Sequence, residues 1–259
     1  MKRRLQISNA FALVVTIAIN YISNTGIFNG NTISSVSAKY NNLLTPASYA
    51  FSIWGLIYLC LTAFVIYQGI SFFKKENSPK VVLQIGWWFV ISCAVNCLWI
   101  FAWLNDYIGI SVVLMIILLF SLLKIIINTR MELDDPDFKT IGFVWWPFSI
   151  YSGWVTIALI VNVSAYLTKI QWDGFGFSNL TWAIIMVCIA GVVNIFMTWK
   201  RNMREFGFVG VWALIAIGVA NIERSPPLFV FAIIMGALLF ISSSAHAYIN
   251  REYAPCRIR

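Results

Sequence analysis

Two aromatic pairs stand where side chains could hold a ligand. Trp54 and Tyr58 are four residues apart, as are Trp99 and Trp103, so each pair shares one face of a helix. Tyr49 and Phe51 add rings just before the first pair, and Trp154 follows Tyr151 by three. Five amides, Asn20, Asn96, Asn162, Asn194 and Asn221, each interrupt a different apolar run. Aromatic faces stack on conjugated rings and amides hydrogen-bond to polar edges, a combination suited to a flat, largely apolar ligand. Packing and helix–helix hydrogen bonding use the same residue types, and that alternative stays open for each of them.

Other chemistries lack their residues. No Asp or Glu falls inside an apolar run, which removes an aspartyl dyad and the buried relay of a proton-coupled pump. No lysine lies deep in a late run where a retinal Schiff base would need it. The single His246 is near the end of the last run, a position for an interfacial residue or an axial haem ligand. Cys93 and Cys97 share a helix face without a nearby histidine or carboxylate, and read as small packing residues. Cys60 and Cys188 also fall in apolar runs, with Cys256 in the tail, so no structural disulfide is expected. Catalytic and metal-binding constellations are both absent from this reading.

The elements that must position the aromatic residues are membrane helices. The 259-residue chain is 60% hydrophobic and only 11% charged, with mean hydropathy +0.81, outside the range of soluble domains. Apolar runs of about 20 residues, enough to cross a bilayer, recur along it. The pattern predicts an all-α polytopic protein of about eight spans: 6–27, 48–73, 81–104, 108–128, 141–167, 180–200, 207–222 and 226–249. Pro46 begins the second, where a first-turn proline loses no intrahelical hydrogen bond. The first run lacks a small-residue cleavage site and reads as a retained span. With the N-terminus inside, 15 of the 18 Lys and Arg fall on the cytoplasmic side, leaving Lys39, Lys169 and Arg224 outside. The net charge of +8 is thus a topology signal, and no nucleic-acid partner is expected. The external segment 29–44 could fold over a cavity as a lid. The acidic segment 128–140, with Glu132, Asp134, Asp135 and Asp137, reads as a solvated loop, with a cation or partner site as the alternative. The external turn 171–177 carries aromatics suited to headgroup depth.

Three of these helices together resemble the tryptophan-rich sensory protein family, the TspO/translocator (peripheral benzodiazepine receptor) group. Its second-helix motif P-P-x₇-W-x-x-L-Y is met by Pro46, Trp54, Ile57 and Tyr58. Its third-helix L-N-x-x-W resembles Val95-Asn96-Cys97-Leu98-Trp99, and its fifth-helix Y-x-x-W-x-x-x-A-x-x-x-N is met by Tyr151, Trp154, Ala158 and Asn162. Thr45 replaces the first proline, the family's W-Y-x-x-L is absent from 29–44, and Pro147 is displaced from its expected place before Tyr151. The last three helices loosely echo the fifth-span pattern at Trp212, Ala216 and Asn221.

The resemblance implies a five-helix membrane domain over 1–170, followed by a three-helix segment with a short basic tail over 171–259. It implies binding of porphyrin, haem, a sterol or a similar flat hydrophobic ligand, as sensor or carrier. Light-dependent porphyrin breakdown has been proposed for some members. The pocket residues implied are Pro46, Phe51, Trp54, Tyr58, Asn96, Trp99, Tyr151, Trp154, Ala158 and Asn162, with a bound tetrapyrrole as the possible cofactor and none required. Val163, Tyr166 and Lys169 also satisfy a permissive cholesterol pattern. A small-molecule transporter and a light-dependent tetrapyrrole-modifying enzyme are the alternatives. The expected partners are a small hydrophobic ligand and the lipid bilayer, and a homodimer is compatible with both. The expected location is a bacterial-type inner membrane with both termini cytoplasmic.

Overall fold

The computed structural model describes residues 1–70, 80–134 and 137–250. Residues 71–73 of the second predicted span lie outside these, as do Lys74, Lys75, Asp135, Arg251, Cys256, Arg257 and Arg259. All regular structure among the described residues is helical. The elements are α1 (Lys2–Ile22), α2 (Ile33–Lys39), α3 (Ile53–Gly69), α4 (Val81–Ile85), α5 (Trp88–Leu104), α6 (Ile108–Asn128), α7 (Phe138–Thr140), α8 (Trp146–Lys169), α9 (Asn179–Arg201), α10 (Arg204–Ala220) and α11 (Pro226–Ile249). Six helical segments have the length and apolar composition to cross a membrane: Lys2–Ile22, Ser48–Gly69, Ile108–Asn128, Phe138–Lys169, Asn179–Arg201 and Pro226–Ile249. Trp88–Leu104 is a shorter apolar helix. Large side chains such as Leu59, Ile66, Leu98, Ile110, Val192 and Ile241 are exposed along these helices, a surface that only lipid makes favourable. The protein is an integral membrane protein.

Local sequence explains where the elements depart from straight spans. The second span opens as a 3₁₀ turn over Ser48–Ser52 before α3 begins. Pro46 therefore precedes that turn instead of occupying the first turn of an α-helix. The 81–104 span divides into α4 and α5 at Gly86, whose φ of +58° belongs to a region that side chains rarely enter. A π-helical stretch over Ile141–Trp145 precedes α8. Pro147 supplies the cause, because it donates no hydrogen bond and its ring crowds the carbonyl one turn back.

Two compact units divide the chain, Met1–Ile33 with Trp54–Ser152, and Ser34–Ile53 with the chain from Gly153 onward. In the first, α1 presents a polar stripe at helical spacing: Gln6, Asn9, Thr16 and Asn20 are all buried. Asn9 Nδ2 donates to Gln68 Oε1 at 3.0 Å and Gln68 Nε2 donates to the Gln6 carbonyl at 3.4 Å. The Thr16 hydroxyl donates to the carbonyls of Ala12 at 2.8 Å and of Cys93 at 3.4 Å. Phe64, Phe89 and Phe148 pack edge to face, with ring centroids 5.1–5.7 Å apart, and close the core beneath the aromatic residues of α3 and α5.

In the second unit, α9, α10 and α11 pack against one another through small residues. Gly207 faces Thr198 and Ser243, Gly210 faces Asn194, and Gly191 faces Met235. Close backbone approach of this kind replaces the hydrophobic drive that lipid removes.

Candidate functional site

The first unit gathers Trp54, Tyr58, Asn96, Trp99 and Tyr151 from α3, α5 and α8. Ile57, Leu61 and Phe64 follow Trp54 on α3 at three- and four-residue steps and are buried, which turns Trp54 inward. Tyr58, Trp54, Trp99 and Trp103 form a continuous column. Their successive centroids are 5.6, 6.4 and 6.0 Å apart, with ring planes inclined by only 20°, 31° and 24°. Tyr151 meets Trp54 edge-on at 5.9 Å and 69°. Trp103, which the ligand-site expectation omitted, ends the column and donates from Nε1 to the Ile33 carbonyl at 3.1 Å. Its four-residue spacing from Trp99 was the signal for it.

Polar groups edge the column. Asn20 Nδ2 donates to Asn96 Oδ1 at 2.9 Å and to the Thr16 carbonyl at 3.0 Å. Asn96 lies against Tyr151, and Cys93 and Cys97 lie near both phenols. Cys97 donates weakly to the Thr16 hydroxyl at 3.6 Å. The Tyr58 hydroxyl is buried and has no hydrogen-bond partner among the described residues. A buried hydroxyl left this way costs about 1–3 kcal/mol, which a ligand acceptor or donor would recover. Trp54, Trp99, Trp103 and Tyr151 are buried, whereas Tyr58 is half-buried and forms the accessible end.

The remaining expected residues, Pro46, Phe51, Trp154, Ala158 and Asn162, belong to the second unit. There Phe51 meets Trp154 edge-on at 6.4 Å. The segment around Pro46 is held by α10. Ala47 N–H donates to the Ala216 carbonyl at 3.0 Å, Trp212 Nε1 to the Ala50 carbonyl at 3.3 Å, and Asn221 Nδ2 to the Leu43 carbonyl at 2.8 Å. The echo seen in the sequence at Trp212, Ala216 and Asn221 is thus a set of three anchors on residues 43–50.

The second unit also contains a cavity of about 500 Å³. Its walls are Asn41–Leu44, the C-terminal half of α8, the turn around Gln171–Gly174 and the start of α9, with Arg224 beside them. Segment 29–44 contributes a fixed wall here: Asn42 Oδ1 accepts from the Ser164 hydroxyl and from Leu44 N–H, both at 2.9 Å. The turn aromatics expected at 171–177 cluster with Trp182, Trp172 lying 4.9 Å and Phe177 6.2 Å from its ring.

Two other candidates resolve differently. His246 belongs to the second unit, where Nε2 lies 3.2 Å from Asn202 Oδ1 and 3.1 Å from Asn250 Nδ2, and Trp199 packs edge-on against the ring. In the acidic loop Asp134 accepts from Arg130 Nε at 2.7 Å, and Asp137 caps α7 by accepting from Thr140 N–H at 3.2 Å. Those two carboxylates serve local structure.

A family model described as TSPO-like protein matches residues 6–245. The chain belongs to the TSPO-like protein family. The match runs through α1 to α11, so the last three helices are part of the TSPO-like region. Neither a curated protein nor a solved structure matches the chain. Within this TSPO-like chain the second- and third-helix motif residues Trp54, Tyr58, Asn96 and Trp99 share one cluster, joined by Tyr151 from the fifth-helix motif.

Proposed function

We propose that this TSPO-like protein binds a flat, conjugated, largely apolar molecule, a porphyrin or a compound of similar shape, as a membrane sensor or carrier. The observation that carries the reading is the near-parallel column of Tyr58, Trp54, Trp99 and Trp103. A macrocycle face stacking at the half-buried Tyr58 end would extend the column, and the Tyr58 hydroxyl would meet a polar edge. These residues fit the faces of a tetrapyrrole. None of the column residues is an imidazole, and iron ligation forms no part of the reading. The charge bias supports a topology with both termini cytoplasmic, in a bacterial-type inner membrane.

Protoporphyrin titrated into the purified full chain tests this. Saturable quenching of tryptophan fluorescence is expected, with binding at least tenfold weaker in the Trp54→Phe, Tyr58→Ala double variant. Quenching that does not saturate, or that the double variant leaves unchanged, rejects the column as the site.

A further inference from the structure

The sequence leaves three cations on the external side, Lys39, Lys169 and Arg224, and the second unit gathers all three around residues 39–42. Lys39 Nζ lies 5.2 Å and Lys169 Nζ 5.7 Å from the centroid of the Tyr40 ring. Arg224 Nη1 donates to Asn41 Oδ1 at 2.9 Å and to the Asn42 carbonyl at 3.5 Å. Both contacts use one nitrogen of the guanidinium. The Nε and Nη2 edge makes no hydrogen bond or ion pair among the described residues, and Asn41 and Asn42 hold the group in place. An Arg fork with one edge fixed and the other open matches a carboxylate or phosphate.

Beside this cationic rim is the 500 Å³ cavity. Ile160, Val163 and Leu167 line it from α8, and Ala183 and Met186 from α9, so its walls are largely apolar, with Ser164, Thr168 and Asn179 adding polar groups. The span from Ile160 to Thr168 is about 12 Å at the helical rise per residue. The volume is that of a small-molecule site. Asp173 is the nearest carboxylate in the adjoining turn, and it accepts from Phe175 N–H at 3.1 Å. Glu223 adjoins Arg224 in sequence.

We propose that this cavity binds a single-chain anionic amphiphile, its chain between α8 and α9 and its carboxylate or phosphate on Arg224. The class is chosen by the pairing of an apolar chamber with a positively charged rim. A neutral apolar ligand would leave the open fork unused, and a cationic one would be repelled by it. The site shares no residue with the aromatic column and stands or falls independently of porphyrin binding.

The test uses the full chain in nanodiscs with three probes: 12-bromododecanoate, 12-bromododecyl phosphate and 12-bromododecanol. Bromine quenches nearby indoles, and Trp172 and Trp182 border the cavity. Both anions are expected to quench saturably and to be displaced by unbrominated dodecanoate, with the alcohol at least tenfold weaker. Arg224→Gln should weaken both anions about tenfold or more, from the loss of charge-assisted hydrogen bonds. Arg224→Lys, keeping charge without the fork, should fall between. Val163→Phe, which fills the chamber and leaves the rim intact, should abolish saturable quenching while protoporphyrin binding persists. Equal affinity for alcohol and anions, or Arg224→Gln binding like the parent, overturns the proposal. Native mass spectrometry of the protein from membranes separates the sources: a retained fatty acid or a retained lysophospholipid supports the anionic site, and retention of neutral lipid alone overturns it.

Discussion

Buried amides have few partners in hydrocarbon, and Asn20 and Asn96 bond to each other at 2.9 Å. Interhelical hydrogen bonds in membranes contribute roughly 0.6 kcal/mol on average and about 1.7 at most. A double-mutant cycle of Asn20→Ala and Asn96→Ala should therefore give a coupling in that range when unfolding is followed in bicelles. A coupling near zero would mean the pair is incidental to α1–α5 association. Gly210 presents the opposite situation, a residue defined by the side chain it lacks. A Cβ there would fall within van der Waals distance of Asn194 Cγ and Nδ2, at 2.6 and 2.9 Å, while Asn194 Nδ2 already donates to the Ala190 carbonyl at 2.8 Å. Gly210→Ala should cost about 1–3 kcal/mol as overpacking. Gly55→Ala in α3, where nothing lies within 4 Å, should be neutral or stabilising by up to about 1 kcal/mol from helix propensity. Equal shifts in thermal midpoint for the two variants would refute the steric account.

At the scale of elements, the anchoring of residues 43–50 by α10 is the feature with the clearest consequence. Irregular backbone inside a packed protein persists only where its buried polar groups find partners. Here the Leu43 carbonyl depends on Asn221, the Ala47 N–H on the Ala216 carbonyl and the Ala50 carbonyl on Trp212. Asn221→Ala removes the first of these and also the Asn221 bond to the Ile217 carbonyl. Hydrogen exchange at residues 43–50 should then accelerate by about tenfold, on the order of one lost hydrogen bond to a buried carbonyl. Exchange in α1 should be unchanged. Acceleration throughout the chain would instead point to global destabilisation. The same element shows what sequence reading could reach. Residues 212, 216 and 221 were visible as a weak echo, but an echo names no partner, and these bonds reach more than 160 residues away. The α4–α5 break at Gly86 is not legible in the sequence, because one glycine in an apolar run carries no sign of its φ. The π turn before α8 is likewise not legible, although Pro147 stands displaced from the family pattern.

For the whole molecule, hydropathy and charge carried the class, because crossing a bilayer constrains composition more strongly than any motif does. The span boundaries at Ile108–Asn128, Asn179–Arg201 and Pro226–Ile249 lie within a few residues of those read from sequence, since each is closed by polar residues or proline. The aromatic column is legible as two four-residue pairs, yet nothing in the spacing says that the pairs meet through Trp54 and Trp99 or that Trp103 completes them. The charge bias remains to be converted into an orientation, and single-cysteine labelling in a cysteine-free background does so. Ile27 and Lys139 are both exposed, and the bias assigns them to opposite sides of the membrane. In intact cells a membrane-impermeant maleimide should label Ile27→Cys and should reach Lys139→Cys only after permeabilisation. The reversed pattern would invert the proposed topology, placing 15 of 18 basic residues outside against the rule that governs short loops. It would also move the Arg224 rim to the cytoplasmic leaflet, where anionic lipid headgroups would supply its ligand directly.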